Sequence, residues 1–303
     1  MQNNTTFPPP EDLFIIYNIY FASSIIILCL SPVAVVGNAL ILAAIWRKTF
    51  LRTSFHILLS GLALTDLCTG LIAQPLVAVI ALLLISYPKD ERSVLLAIKK
   101  ATIDGVVIYS LNLTLFLATL LSVERWLHMS RQNAASFRRR CLTAIFVLLL
   151  PIPLALLHSL DSTNKTFGRE LKIILLAVKI CCISITSFAY CKIFRIIRHH
   201  QQQVQANVPP QNFGQPAINL AKYKKSVVTI LYILALSYFC FLPFIVSVGT
   251  YLHVDSNDSK VIEVSLYVCL ALVFLSSSLN PCLYLWRMND VRNGVKQLFC
   301  SNS

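Results

Sequence analysis

Charge is what this sequence has least of. Only 13% of its 303 residues are charged, while 56% are hydrophobic and mean hydropathy is +0.70. An ordinary soluble domain carries about 25% charged residues, so the deficit excludes a soluble globular chain and implies an integral membrane protein. Alternating apolar and polar runs are missing, which excludes a transmembrane barrel. No predicted outer loop holds a cysteine. Cys29, Cys68, Cys141, Cys181, Cys182, Cys191, Cys240, Cys269 and Cys282 lie in or at the ends of apolar runs, and Cys300 sits in the tail. A disulfide framework is thereby excluded, and the thiols read as small buried hydrophobes. Also missing are a Gly-rich loop that could cradle phosphate, a metal-ligand spacing and a Ser/His/Asp set, so nothing supports an enzyme. The first twelve residues have neither the basic stretch nor the cleavage pattern of a signal peptide, and the first apolar run reads as an uncleaved anchor.

What is present is a series of long apolar runs, near 14–46, 54–85, 94–128, 140–160, 170–198, 222–252 and 261–286. Each exceeds the roughly 20 residues a helix needs to cross the hydrocarbon core. The expectation is an all-α membrane protein: residues 1–13 as an extracellular N-terminus, 14–286 as a seven-helix transmembrane bundle, and 287–303 as an amphipathic helix and cytoplasmic tail. With the N-terminus outside, Arg47, Lys48, Arg52, Arg125, Arg131, Arg138, Arg139, Arg140, Lys192, Arg195, Arg198, Lys222, Lys224, Lys225, Arg287, Arg292 and Lys296 face the cytoplasm, where the only acids are Glu124 and Asp290. That is the bias expected of inner loops. The chain's formal net charge of +13 therefore reads as topology and contact with anionic lipid, with no need for nucleic acid. The N-x-S/T sequons at Asn3, Asn4, Asn164 and Asn257 fall outside in this topology and are expected to carry glycans. Asn112 matches as well but lies deep in the third run.

Segment 200–219, rich in Gln, Asn and Pro, reads as a flexible cytoplasmic link. Pro32, Pro75, Pro151, Pro153, Pro243 and Pro281 punctuate the runs and favour kinks, which a membrane tolerates where neighbours satisfy the freed carbonyls. In the tail, Met288, Val291, Val295, Leu298 and Phe299 recur at helical spacing opposite Asn289, Arg292 and Lys296. This predicts an amphipathic helix on the inner leaflet, with Cys300 beyond it as a palmitoylation site.

Within "SGLALTDLCTG" Asp66 is the only charge of a long apolar stretch. A lone acid at the centre of a membrane helix costs about 2.5–3.5 kcal/mol, so it needs a partner or a task, unless it sits solvated near a helix end. Three more stretches line up with it in chain order: "GNALIL" with Gly37 and Asn38, "SVERW" with Glu124 and Arg125, and "NPCLY" with Asn280, Pro281 and Tyr284. Together, on the right helices and the right sides, these resemble the rhodopsin-like (class A) G protein-coupled receptors over essentially the whole chain. The resemblance implies a plasma-membrane receptor that passes an extracellular ligand signal to heterotrimeric G proteins. A ligand-binding scaffold that activates no G protein, or a transporter, is the alternative; a transporter would call for several intramembrane charges or inverted repeats.

The resemblance also assigns residues. Asp66 with Asn38, Thr114, Ser276 and Asn280 is expected to hold Na+, and all are oxygen donors suited to a hard cation. Glu124 and Arg125, followed by Trp126, stand for the family's acid–Arg–Tyr signature. The Arg125 fork pairs with Glu124 at rest and reaches Tyr190, Tyr284 or G protein when released; Pro281 and Tyr284 belong to the same switch. The sixth span's foot, "KYKKS", lacks the usual acid, which argues against an ionic lock there. Phe241 and Pro243 resemble the sixth-helix hinge, with Phe replacing Trp. Lys100 stands where a disulfide cysteine is usual. That departure, with the short outer loop 161–169 and the proline-free fifth span, resembles the melanocortin subgroup.

The ligand pocket is expected at Asp104, Val107, Ile108, Leu111, Phe241, Phe244, Tyr267, Leu270 and Phe274. Aminergic relatives place an acid where Val107 stands, and opsins a lysine where Phe274 stands. The mostly apolar wall suits a lipid, or a peptide with an aromatic anchor, better than a biogenic amine.

Overall fold

The computed structural model describes residues 11–47, 54–87, 92–130, 165–207, 232, 235–236, 238–252 and 259–299. Helices account for nearly all of them. Helix α1 is Glu11–Arg47, α2 is Ser54–Cys68, and α3 is Gln74–Ser86, with a π turn at Thr69–Ala73 joining the last two. Helix α4, Arg92–Ala101, passes through a second π turn, Thr102–Val107, into α5, Ile108–Met129. Helix α6 is Lys165–Asn207, α7 is Tyr238–Leu252, α8 is Ser259–Arg287 and α9 is Asn289–Phe299. Among the described residues, five helices are long and apolar enough to cross a membrane: Phe14–Arg47, His56–Ser86, Gly105–Leu127, Lys172–His199 and Val261–Arg287. They correspond to five of the expected spans, and α7 is the outer part of the sixth. The fourth span, the foot of the sixth, all four outer sequons and Cys300 lie outside the described residues.

Bulky apolar side chains are exposed along these helices, among them Ile26, Val36, Leu71, Ile72, Phe188, Val246 and Val268. In water such a surface would be a liability; in lipid it is the solvated face. Inward-facing residues form two buried clusters. The outer one, toward the start of α1, joins Ile27, Val77, Val107, Leu111, Phe241, Leu270 and Phe274. The inner one joins Ile41, Ile45, Leu59, Leu62, Leu117, Leu121, Tyr284 and Val291.

The second span shows how proline is absorbed. Pro75 has no N–H for the carbonyl four residues back. The chain widens there into the π turn, and the Gln74 N–H donates instead to the carbonyl of Thr69. The same turn brings Gly70 against α1: a Cβ there would stand 2.9 Å from Ala34 Cβ, and Ser31 Oγ donates to the Gly70 carbonyl at 2.8 Å. Helix α1 meets α8 as closely. A Cβ on Gly37 would stand 2.6 Å from Pro281 Cγ, and Ser278 Oγ donates to the Leu30 carbonyl at 3.0 Å. Small residues that let backbones approach, with hydroxyls bonding across, are what drives helix association where lipid cancels the hydrophobic effect.

The amphipathic α9 departs from expectation in what covers it. Its turn out of α8 is fixed by the N–H groups of Met288 and Arg292, which donate to Tyr284 and Met288 carbonyls at 2.8 and 3.0 Å. Val291, Gly294 and Val295 are buried, and α9 packs on α1. Half of its apolar face thus closes the inner end of the bundle, and Phe299, 71% exposed, is the part left for the leaflet.

Candidate functional site

Between the two apolar clusters each inward face turns polar. Asn38, Asp66, Thr114, Ser276 and Asn280 are all buried, none more than 7% exposed. Asn280 Nδ2 donates to Asp66 Oδ2 at 2.8 Å. Asn38 Nδ2 donates to the Ala34 and Ser277 carbonyls at 2.8 and 3.1 Å. That leaves Asp66 Oδ1 and Asn38 Oδ1 buried with no hydrogen-bond donor among the described residues. Two buried oxygens without a donor, one of them on a carboxylate, are chemically of the kind that a hard cation takes as ligands. Ser276 and its neighbour Ser277 are both buried.

Toward the inner end, Tyr284 is wholly buried and packs in the inner cluster. Its hydroxyl has no hydrogen-bond partner among the described residues and lies within electrostatic reach of both Asp66 and Tyr190. Tyr190 Oη accepts from Ser122 Oγ at 3.1 Å, tying α6 to α5. Arg125 feels both Glu124 and Tyr190, and Glu124 Oε2 is buried without a hydrogen bond among the described residues. Trp126, where the family signature has Tyr, packs edge-on against Phe188 at 5.6 Å. The switch residues named from sequence thus form a chain of electrostatic neighbours, Arg125 to Tyr190 to Tyr284, that ends at Asp66.

Near the outer end lies a cavity of about 290 Å³, at the small end of ligand pockets. Of the expected residues, Val107, Ile108, Leu111, Phe244, Tyr267 and Leu270 line it. Phe241 and Phe274 do not; they are 4% and 0% exposed and pack behind the wall in the outer cluster. Asp104 falls in the second π turn, one helical turn outward of Val107. Tyr267 is held by a hydrogen bond between its hydroxyl and Ser24 Oγ at 2.8 Å and by ring contact with Tyr20, centroids 4.7 Å apart. Phe241 also lines a second, inner cavity of about 30 Å³ with Ser122, Tyr190 and Tyr238, large enough for a water. The hydroxyls of Tyr238 and Ser187 are hydrogen-bonded, joining α7 to α6. Pro243, the other hinge residue, is half-buried in α7.

Sequence reasoning missed the polar lining of the outer cavity: Lys99, Lys172, Lys179, Tyr251 and Glu263. The signal was present. Lys172, Leu175 and Lys179 recur at i, i+3 and i+7, one face of a helix.

Comparison with known proteins agrees with this architecture. The profile of the 7 transmembrane receptor (rhodopsin family) matches residues 161–284. The histamine H2 receptor of Cavia porcellus is 24% identical over 95% of this chain and 81% of its own length. The G-protein coupled receptor 6 of Mus musculus is 26% identical over 91% and 74%, and the melanocortin receptor 4 of Danio rerio is 21% identical over 94% and 86%. These relatives lie at similar distances, so the melanocortin subgroup is not singled out. The four motifs on the expected helices, the polar layer between two apolar clusters and these relatives together support a rhodopsin-like (class A) G protein-coupled receptor, a seven-helix membrane receptor rather than an enzyme.

Proposed function

We propose that the ligand of this receptor occupies the outer cavity and that its presence is relayed through Phe241 to the Arg125 switch. The observation that carries this reading is the position of Phe241. It packs with the cavity-lining Val107, Leu111 and Leu270 on one side and lines the inner cavity with Tyr190 on the other. A ligand that shifts the wall moves Phe241, and Phe241 moves what Tyr190 meets. Activation is then a population shift between two packings of one bundle, with agonist and G protein each favouring the active one.

The wall's apolar side chains support a lipid or an aromatic-anchored peptide. The histamine H2 receptor carries an amine in its name, but Val107 leaves no carboxylate for such a ligand at that position. The orphaned Asp66 Oδ1 supports Na+ as the bound ion, held by Asp66 and Asn38 with Thr114, Ser276 and Asn280 around them. The ion would supply a positive charge that stabilises one packing of the helices. The inner-loop basic excess supports an extracellular N-terminus, with glycans at Asn3, Asn4, Asn164 and Asn257 and a palmitoyl group at Cys300 on the opposite side.

The test is nucleotide exchange on a panel of purified heterotrimers by the full-length receptor, with Arg125→Ala beside it. Exchange by the parent and its loss in Arg125→Ala at equal surface expression is the expected result. Undiminished exchange in Arg125→Ala would remove Arg125 from the switch.

A further inference from the structure

One ammonium group in the outer cavity has no role in the reading above. Lys179 lies on α6, about 10 Å deeper than Lys172 at 1.5 Å per residue. It is 7% exposed and still lines the cavity. Among the described residues no carboxylate forms an ion pair with it. Glu263, the one acid of the described lining, is exposed and shares the cavity with Lys99 and Lys172 as well. Lys172 is already engaged, its Nζ standing 5.9 Å from the centre of the Tyr251 ring. A buried ammonium is costly unless an anion or a set of acceptors meets it. Val107, Leu111 and Leu270, which line the same cavity, are apolar side chains that offer no acceptor.

We infer that Lys179 is the counter-ion for a carboxylate carried by the ligand, so that the cavity takes an anionic amphiphile with its acid group deep and its apolar body along the wall. This deepens the ligand-cavity reading and rests on it. A deep cation between apolar walls selects against amines by repulsion and against neutral amphiphiles by the ammonium they would leave unmet. The rim lysines Lys99 and Lys172 draw an anion toward the mouth without fixing it.

The probes are decanoate, 1-decanol and decylamine, matched in chain and differing only in head group. Each is titrated into the full-length receptor in nanodiscs of zwitterionic lipid, and the melting temperature and the dissociation constant are read. Decanoate is expected to stabilise the receptor saturably, while decanol and decylamine at the same concentrations do not. Lys179→Met, which keeps the length and removes the charge, should weaken decanoate by about ten- to a hundredfold, the loss of one charge-assisted hydrogen bond. Lys179→Arg should retain most of the binding, and Asp104→Asn should not weaken it. Equal shifts from decanoate and decanol, no shift from any of the three, or unchanged decanoate binding in Lys179→Met would each overturn the assignment. The head-group comparison stands on the parent protein even where Lys179→Met folds poorly. Nucleotide exchange read in parallel separates this assignment from the relay. Lys179-dependent binding that leaves exchange unchanged keeps the anion site and sinks the relay through Phe241. Exchange that responds to decanoate equally in the parent and Lys179→Met does the reverse.

Discussion

Gly37→Ala is the sharpest perturbation the helix contacts offer. A methyl group on Gly37 would stand 2.6 Å from Cγ and 2.8 Å from Cβ of Pro281. Both atoms belong to a ring that cannot rotate aside. Ordinary contact needs about 3.5–4 Å, so α1 and α8 must part by roughly 1 Å. Overpacking of this kind costs about 1–3 kcal/mol. A second cost follows from the neighbours of the clash. Asn38 is next to Gly37, and its Nδ2 donates across to the Ser277 carbonyl of α8 at 3.1 Å. An opening of 1 Å takes that bond beyond hydrogen-bonding range, a loss of about 0.5–1.5 kcal/mol. The sum is roughly 1.5–4.5 kcal/mol, a severe effect for a single methyl group. Gly61→Ala is the internal standard. Its nearest atom would be Leu117 Cδ2 at 3.6 Å, so the substitution meets only ordinary contact and gains helix propensity, about 0.5–1 kcal/mol. Thermal denaturation of both variants in the same nanodiscs measures the difference. Gly37→Ala should melt well below the parent and Gly61→Ala at or above it. A Gly37→Ala variant as stable as Gly61→Ala would refute both the close approach of α1 to α8 and its coupling to the polar layer.

Two further outcomes complement this one and the Arg125 and Lys179 experiments above. Asp66→Asn keeps the size and one carbonyl but not the charge; agonist affinity that falls in the parent as Na+ replaces a large organic cation at constant ionic strength should become insensitive to Na+, and persistence of the effect would place the ion elsewhere. Val291→Ala removes two buried methyl groups from the joint between α9 and the inner cluster and should cost about 2 kcal/mol, seen as a lower melting temperature together with faster hydrogen exchange in 289–299; an α9 that merely rests on lipid would show neither.

The five described spans were legible because lipid allows only one economical use of a long apolar run. Depth was legible less well than direction. Phe241 and Phe274 do face inward, as their spacing implies, yet a residue's height along the axis relative to a cavity depends on how neighbouring helices slide past one another. Pro75 announced a distortion of the second span; that the distortion is a π turn, and that it sets Gly70 against α1, depends on a partner helix the local sequence does not contain. Lys179 was not placed on a face, although its spacing from Lys172 and Leu175 marks one. The amphipathic pattern of α9 was plain, but an apolar stripe does not say whether lipid or protein covers it.

Helix α6 runs unbroken for 43 residues, about 65 Å at 1.5 Å per residue, some 20 Å more than a whole bilayer with its head groups. A rod of that length is a lever arm. From Lys179 to its end at Asn207 is about 42 Å, so a tilt of only 5° about the depth of Lys179 sweeps the far tip through nearly 4 Å. Tyr190 and Ile193 ride on the same rod, close to the fulcrum, and move by about 1–2 Å. Small rearrangements around an occupied cavity can therefore stay within the slack of the packed core and still arrive magnified beyond the membrane, where a protein partner would feel them.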